Sequence, residues 1–346
     1  MIIGVNTEVG QDSWIALLCA TIVSIPILLV YARIMKIFPG TDIFEISEKL
    51  FGKIGGKIII ALFTWYSIHL GALVLRNFSE FIEIVAMPET PQIPIMIAII
   101  FVTIYLAKSN IEIFGKWAIV ILPIIMITIL TTLIFWFSIM DFSNILPVMG
   151  HSVQKVAKSS FDIISFPIAE TILFLGLASF MKKESSPYKV YLLGLLIGVA
   201  ILGIVMLRNV LSLGSAMMEA LKFSSFTAAR LINIGDFLSR IEGIISVNFI
   251  LAGITKITVC LISASKGISK LFNLENYKKM TTPVSLLIVA LSMILYKSTM
   301  EMFNFLTVYP YYAIPFQLII PIVIWLTAEI KIRKKSKTSD SQIKSS

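Results

Sequence analysis

Residues Ser165–Phe174 read SFPIAETILF. They lie within Phe161–Phe180, an otherwise apolar run of membrane-span length, yet they carry Pro167 and, three residues later, Glu170. A proline inside a helix removes a backbone donor and clashes with the carbonyl four residues back, here that of Ile163. In hydrocarbon, loosened backbone groups persist only where protein or a water-lined cavity satisfies them. A carboxylate at mid-span costs about 2.5–3.5 kcal/mol on insertion scales and marks a functional position by default. Two readings stand side by side. One is a simple proline kink; the other is an interrupted helix that offers backbone groups to a small ligand near the midplane.

The rest of the chain supplies the setting. Its 346 residues are 57% hydrophobic and 14% charged, with a mean hydropathy of +0.92. A soluble domain is about half apolar and a quarter charged. The surplus comes in blocks, giving nine candidate spans: Trp14–Ala32, Ile58–Leu75, Ile93–Ala107, Trp117–Ile139, Phe161–Phe180, Tyr191–Leu213, Gly243–Ser265, Pro283–Tyr296 and Pro310–Ala328. The expectation is an all-α polytopic membrane protein. The third and eighth spans are short of the roughly 20 residues that a perpendicular crossing needs.

The net charge of +9 does not point to nucleic acid, because the basic residues fall in short loops and form no continuous patch. They gather in the loops after spans one, three, five and seven and in the tail KIRKKSKTSDSQIKSS. The positive-inside rule then makes the C-terminus cytoplasmic. With nine spans the N-terminus falls outside, and the charge pattern asks for one more helix upstream. The opening MIIGVNTEVGQDSW has no signal-peptide pattern. Cys19 and Cys260 both lie in apolar blocks, so no disulfide framework is readable. The tail, residues 329–346, reads as a basic cytoplasmic anchor without fixed structure. Trp14, Trp117, Trp136 and Trp325, with Tyr309, Tyr311 and Tyr312, fall near span ends, where interfacial aromatics belong.

Few ionisable residues lie at membrane depth. Arg76 and Arg208 sit near span ends, where snorkelling accounts for them. Glu170 and Lys256 sit near the centres of the fifth and seventh spans, which run in the same direction. Their depths differ by about 3 Å at a helical rise, so a buried ion pair is expected, against the alternative of separate wet cavities. Tyr66 and Leu70 share one face of the second span; Asn248 lies in the seventh, and His69 reads as a packed side chain. Gly194, Gly198, Gly203 and Gly253 read as sites of close helix packing. No metal cluster, activated nucleophile or phosphate-binding loop is present in the sequence, so no catalytic apparatus, metal or cofactor is expected.

Several separated motifs carry a resemblance. They are GQDSWIALL (Gly10–Leu18), FPGTDIFEISEKLFGKIGGK (Phe38–Lys57), ALVLRNFSEF (Ala72–Phe81), SFPIAETILFL (Ser165–Leu175) and ARLINIGDFLSRIEGII (Ala229–Ile245). Through them the chain resembles the B-subunit family of spore germinant receptors, the spore germination permeases, a branch of the amino acid–polyamine–organocation transporters. The resemblance implies a transporter-like bundle of ten helices in two inverted repeats. The first helix of each repeat is broken, and a ligand sits between them. Here the first repeat, about residues 1–139, is expected to be incomplete, since only 13 residues precede Trp14; a misassigned start, a cut chain and a degraded paralogue are the open readings. The second, about residues 160–328, opens on FPIAE. Together they form one transmembrane domain, residues 1–328.

The resemblance also implies a place in the spore inner membrane. It implies a nutrient ligand, often an amino acid, and a germinant-receptor A subunit and lipoprotein C subunit as partners. Position then nominates Phe166, Pro167, Ile168, Ala169 and Glu170 around the break, with Tyr66, Leu70 and Asn248, as ligand-binding residues. Two other functions compete: a proton- or sodium-coupled amino acid or amine transporter, and a scaffold subunit that binds no ligand. The connection Met217–Arg240 is amphipathic and reads either as a surface segment or as a gate.

Overall fold

The computed structural model describes residues 7–221, 224–230 and 241–344. Among these the regular elements are all helical: α1 (Ser13–Ile37), α2 (Ile43–Val85), α3 (Gln92–Lys108), α4 (Ile111–Trp136) and α5 (Val153–Ile163) come first. After an interruption and a 3-10 helix, Ala169–Phe180, come α6 (Pro187–Ala220), α7 (Ser224–Arg230), α8 (Ile241–Leu271), α9 (Lys278–Ile294), α10 (Thr299–Ile314) and α11 (Ile320–Lys344). Seven of the nine expected spans fall in helices long and apolar enough to cross a membrane. The other two, in α3 and α9, have 17 residues each, about 25 Å of rise against a hydrocarbon core of about 30 Å. The chain is a multi-pass all-α membrane protein.

Two glycines with positive φ mark where helices leave the expected spans. Gly52 (φ 72°, ψ −171°) breaks α2 six residues before the expected start at Ile58. The preceding helix turns back so closely that a Cβ on Gly56 would lie 2.7 Å from the Glu48 Cα. Gly214 (φ 69°) kinks α6 one residue after the expected end at Leu213. Neither conformation suits an L side chain.

The helices divide into a core and a lipid-facing shell. In the most apolar 18-residue window of α2, 72% of residues are buried by protein; in that of α4, 11% are. Helix α2 packs more extensively against α8 than against any other helix, and small side chains let the two approach: Ser67 Oγ lies 2.9 Å from Ser263 Oγ. Gly253 lies under Phe78, which leaves no room for a Cβ. Gly203 meets only Leu17 at ordinary contact, while Gly194 and Gly198 have open space where a Cβ would be. Close packing was therefore expected wrongly at those last two, which border a cavity.

One end of the bundle is tied by Lys266–Asp42 (2.6 Å), Lys270–Glu48 (2.6 Å) and Arg33–Glu329 (2.6 Å). Lys331 Nζ donates to the Leu50 carbonyl at 2.7 Å. It caps the short helix that ends at Gly52, as a cation at a helix C-terminus should. Asp12, in the GQDSW motif, is fully buried. It accepts from the backbone N–H groups of Met149 (2.7 Å) and His151 (2.9 Å) and pairs with His151 Nδ1 (2.9 Å).

Three expectations are corrected by packing. The tail is not without structure: α11 continues to Lys344, because residues 329–344 contain no glycine or proline to stop it. Trp136 is fully buried under Arg208, not interfacial. Tyr309 is buried in the centre of the molecule. In the Met217–Arg240 connection, residues 222, 223 and 231–240 lie outside the described residues, as does part of the ARLINIGDFLSRIEGII motif.

Candidate functional site

The fifth expected span is interrupted at the proline. Helix α5 ends at Ile163, and Ile164–Ile168 form one wide π turn in which Phe166 is extended (φ −138°, ψ 110°). The Phe166–Pro167 peptide is cis. From Ala169 the chain tightens into the 3-10 helix. The Ala169 N–H still reaches back to the Ile164 carbonyl, so the turn keeps one main-chain bond across the break.

Side chains reach several of the carbonyls around the break. Gln317 Nε2 donates to the Ser165 carbonyl at 2.9 Å. The Tyr31 hydroxyl reaches the Ala169 carbonyl at 3.5 Å and donates a shorter bond to the Gln317 carbonyl. Thr171 Oγ1 donates to the Ile168 carbonyl at 2.7 Å. Gln317 lies in a second π turn, Pro315–Ile319, between α10 and α11. Two interrupted helices therefore meet, each supplying groups to the other.

From this junction a chain of hydrogen bonds runs to the central charges. Gln317 Nε2 donates its second proton to the Tyr66 hydroxyl at 2.9 Å. Tyr66 and Tyr309 hydroxyls lie 3.2 Å apart, and Tyr309 donates to Glu170 Oε1 at 2.8 Å. Each hydroxyl has one proton, so Tyr66 must donate to Tyr309. Glu170 Oε2 is paired with Lys256 Nζ. The expected ion pair is present, with the Glu170 side chain 4% exposed and Lys256 26% exposed. The ammonium also sits 4.5 Å above the Phe166 ring. A buried pair repays its desolvation only when its remaining sites are also bonded, and Tyr309 fills one of them.

Three cavities touch Pro167. The first, about 320 Å³, runs between α2, α4, α6 and α8 and is lined by Phe166, Pro167, Asn248, Lys256, Arg208 and Asn77 among others. The second, about 430 Å³, is apolar and includes Ile168 and Thr171. The third, about 440 Å³, has the Glu170–Lys256 pair in its wall. Of the nominated residues, Phe166, Pro167, Ile168, Glu170 and Asn248 border these spaces. Ala169 presents its carbonyl to Tyr31. Tyr66 and Leu70 are buried and line none of the three; Tyr66 stacks on Phe316 at 4.9 Å. His69 is packed as expected, stacked on Trp65 with Tyr312 edge-on, although its Nδ1 makes no hydrogen bond.

Neither arginine snorkels. Arg76 is held by Glu80 at 3.1 Å, and that carboxylate also takes Gln92 Nε2 at 2.9 Å and the Thr299 hydroxyl. Arg208 is 3% exposed. Sequence reading also missed Tyr309, Gln317 and Tyr31. For Gln317 a signal existed: a lone amide between Pro315 and Pro321 in an apolar run.

A family model described as "Spore germination protein" matches residues 1–302. The chain belongs to the spore germination permease family. Among curated relatives it is 24% identical to spore germination protein KB of Bacillus subtilis (strain 168), over 99% of this chain and 94% of that protein. It is 25% identical to spore germination protein GerQB of Bacillus cereus, over 94% of this chain and 89% of that protein. With spore germination protein YndE of Bacillus subtilis (strain 168) it shares 24% identity over 76% of this chain and 72% of that protein. The family is permease-like, and membership supports a role in germination.

Proposed function

We propose that this germination permease is the B subunit of a spore germinant receptor, seated in the spore inner membrane with its C-terminus cytoplasmic. It binds a small nutrient, an amino acid, in the cavity beside the interrupted helix and signals through an A subunit and a lipoprotein C subunit. The observation that carries this reading is the break at Phe166–Pro167, opening onto a cavity of about 320 Å³ that Lys256 also lines. A space of that size suits one small molecule. Interrupted helices at mid-membrane are the usual place for such sites in transporter-like folds. The Glu170–Lys256 pair links the break to α8, so a ligand seated against Phe166 and Lys256 in the cavity wall bears on two helices together.

Filling the cavity tests this. Ala252 borders both the first and third cavities. Ala252→Trp, in spores that rely on this receptor alone, is expected to abolish nutrient-triggered loss of refractility while leaving the membrane level of the chain unchanged. A full response would favour a scaffold that binds no ligand. Accumulation of a labelled amino acid by proteoliposomes, driven by a proton or sodium gradient, would identify a transporter instead.

A further inference from the structure

Arg208 is the buried cation that the reading above leaves unused. Its guanidinium carbon lies 3.6 Å from the centre of the Trp136 ring. Nε and Nη2 donate to Asn209 Oδ1 at 3.3 and 3.0 Å, and Nη1 reaches Thr132 Oγ1 at 3.5 Å. A guanidinium has five N–H donors, so two are unspent. Among the described residues no carboxylate pairs with it. Arg208 lines the 320 Å³ cavity, and so does Asn77. Asn77 is 7% exposed, and its Oδ1 accepts no hydrogen bond. Cation–π contact and neutral acceptors return less than an unpaired buried charge costs. Most of the remaining walls, including Val74, Phe78, Ile129, Val205 and Phe249, are apolar, with Thr128, Thr132, Ser225, Asn248 and Lys256 as the other polar residues.

We infer that Arg208 receives the carboxylate of the ligand, with the ammonium beside Asn77 Oδ1 and an apolar side chain against those walls. The site then selects small monocarboxylates, namely apolar α-amino acids, and rejects amines. Lys256 does not compete for the carboxylate, because Glu170 already holds it. The inference rests on the reading that this cavity is the ligand site.

The test uses the purified full chain in lipid nanodiscs, titrated with alanine, valine and leucine, each beside its deamino acid and its decarboxylated amine. The amino acids and the deamino acids are expected to bind and the amines not. Arg208→Gln is expected to weaken binding of the acids at least about 30-fold, as removal of one partner from a buried charge pair does. Arg208→Lys keeps the charge but loses the planar fork and is expected to weaken it about tenfold. If amines bind as well as acids, or Arg208→Gln binds acids like the wild type, the role of Arg208 is overturned. The cavity reading then survives only if Ala252→Trp still abolishes binding. If no probe binds the wild type, both readings fall. Should Arg208→Gln not fold, the contrast between acid and amine in the wild type decides alone.

Discussion

Lys256 and Arg208 line the same cavity, yet the molecule treats them in opposite ways. Lys256 is paired with Glu170, whose second oxygen is taken by Tyr309. Arg208 lies over an indole ring and shares neutral acceptors. The first cation is part of a closed electrostatic circuit built on the interrupted helix. The second has its charge provided for only in part. A fold that needed both only for stability would have paired both. The difference separates a charge that holds the break together from one left available.

Breaking the closed circuit should have the largest effect. Lys256→Met removes the cation and leaves Glu170 buried without a counter-charge, a change that costs about 3–5 kcal/mol, part of which protonation of the carboxylate recovers. The measurement is the thermal unfolding midpoint of the purified chain. In Lys256→Met/Glu170→Gln the buried charge is gone as well, and more than half of the loss should return. A double variant no better than the single would mean that the two side chains are energetically independent.

The junction of the two interrupted helices comes next. Gln317→Leu removes both amide donors, leaving the Ser165 carbonyl and one side of the Tyr66 hydroxyl without partners. A buried acceptor stranded in this way costs about 1–3 kcal/mol. The same unfolding measurement should show a smaller drop than Lys256→Met. An unchanged midpoint would mean that water replaces the amide, and that the break is wetter than its packing suggests.

How much of this could be read in the sequence follows from the same physics. The spans were legible because each is a block of apolar residues. The break and the Glu170–Lys256 pair were legible because proline and charge are conspicuous in such blocks. Tyr309 was not. The ninth span was expected from Pro310, but the helix begins at Thr299, with Glu301 and Asn304 in its first turns. Those polar residues hid the added length, and Tyr309 passed for an interfacial aromatic when it lies mid-helix at the central carboxylate. Arg208 was misread for a related reason. Distance from the span end suggested a side chain free to reach water, but Trp136 from α4 covers it, a contact between segments far apart in sequence. Glu80 and Arg76 sit one helical turn apart in a quoted motif. Their burial depends on Gln92 and Thr299 arriving from other helices.

The smallest stability effect is expected at Arg208, and it sharpens the comparison most. Arg208→Gln gives up a cation–π contact, about 2 kcal/mol when desolvated, and hydrogen bonds to Asn209 and Thr132, for which the new amide offers partial replacements. Against this, the variant no longer buries a charge without an anion, an arrangement that itself costs several kcal/mol. The two sides nearly cancel, so the unfolding midpoint of the ligand-free chain should move by the equivalent of no more than about 1 kcal/mol in either direction. A drop as large as that of Lys256→Met would show that Arg208 is a structural charge and that the two cations are alike. A small shift would leave Lys256 as the structural charge and Arg208 as the one that the fold keeps for something else.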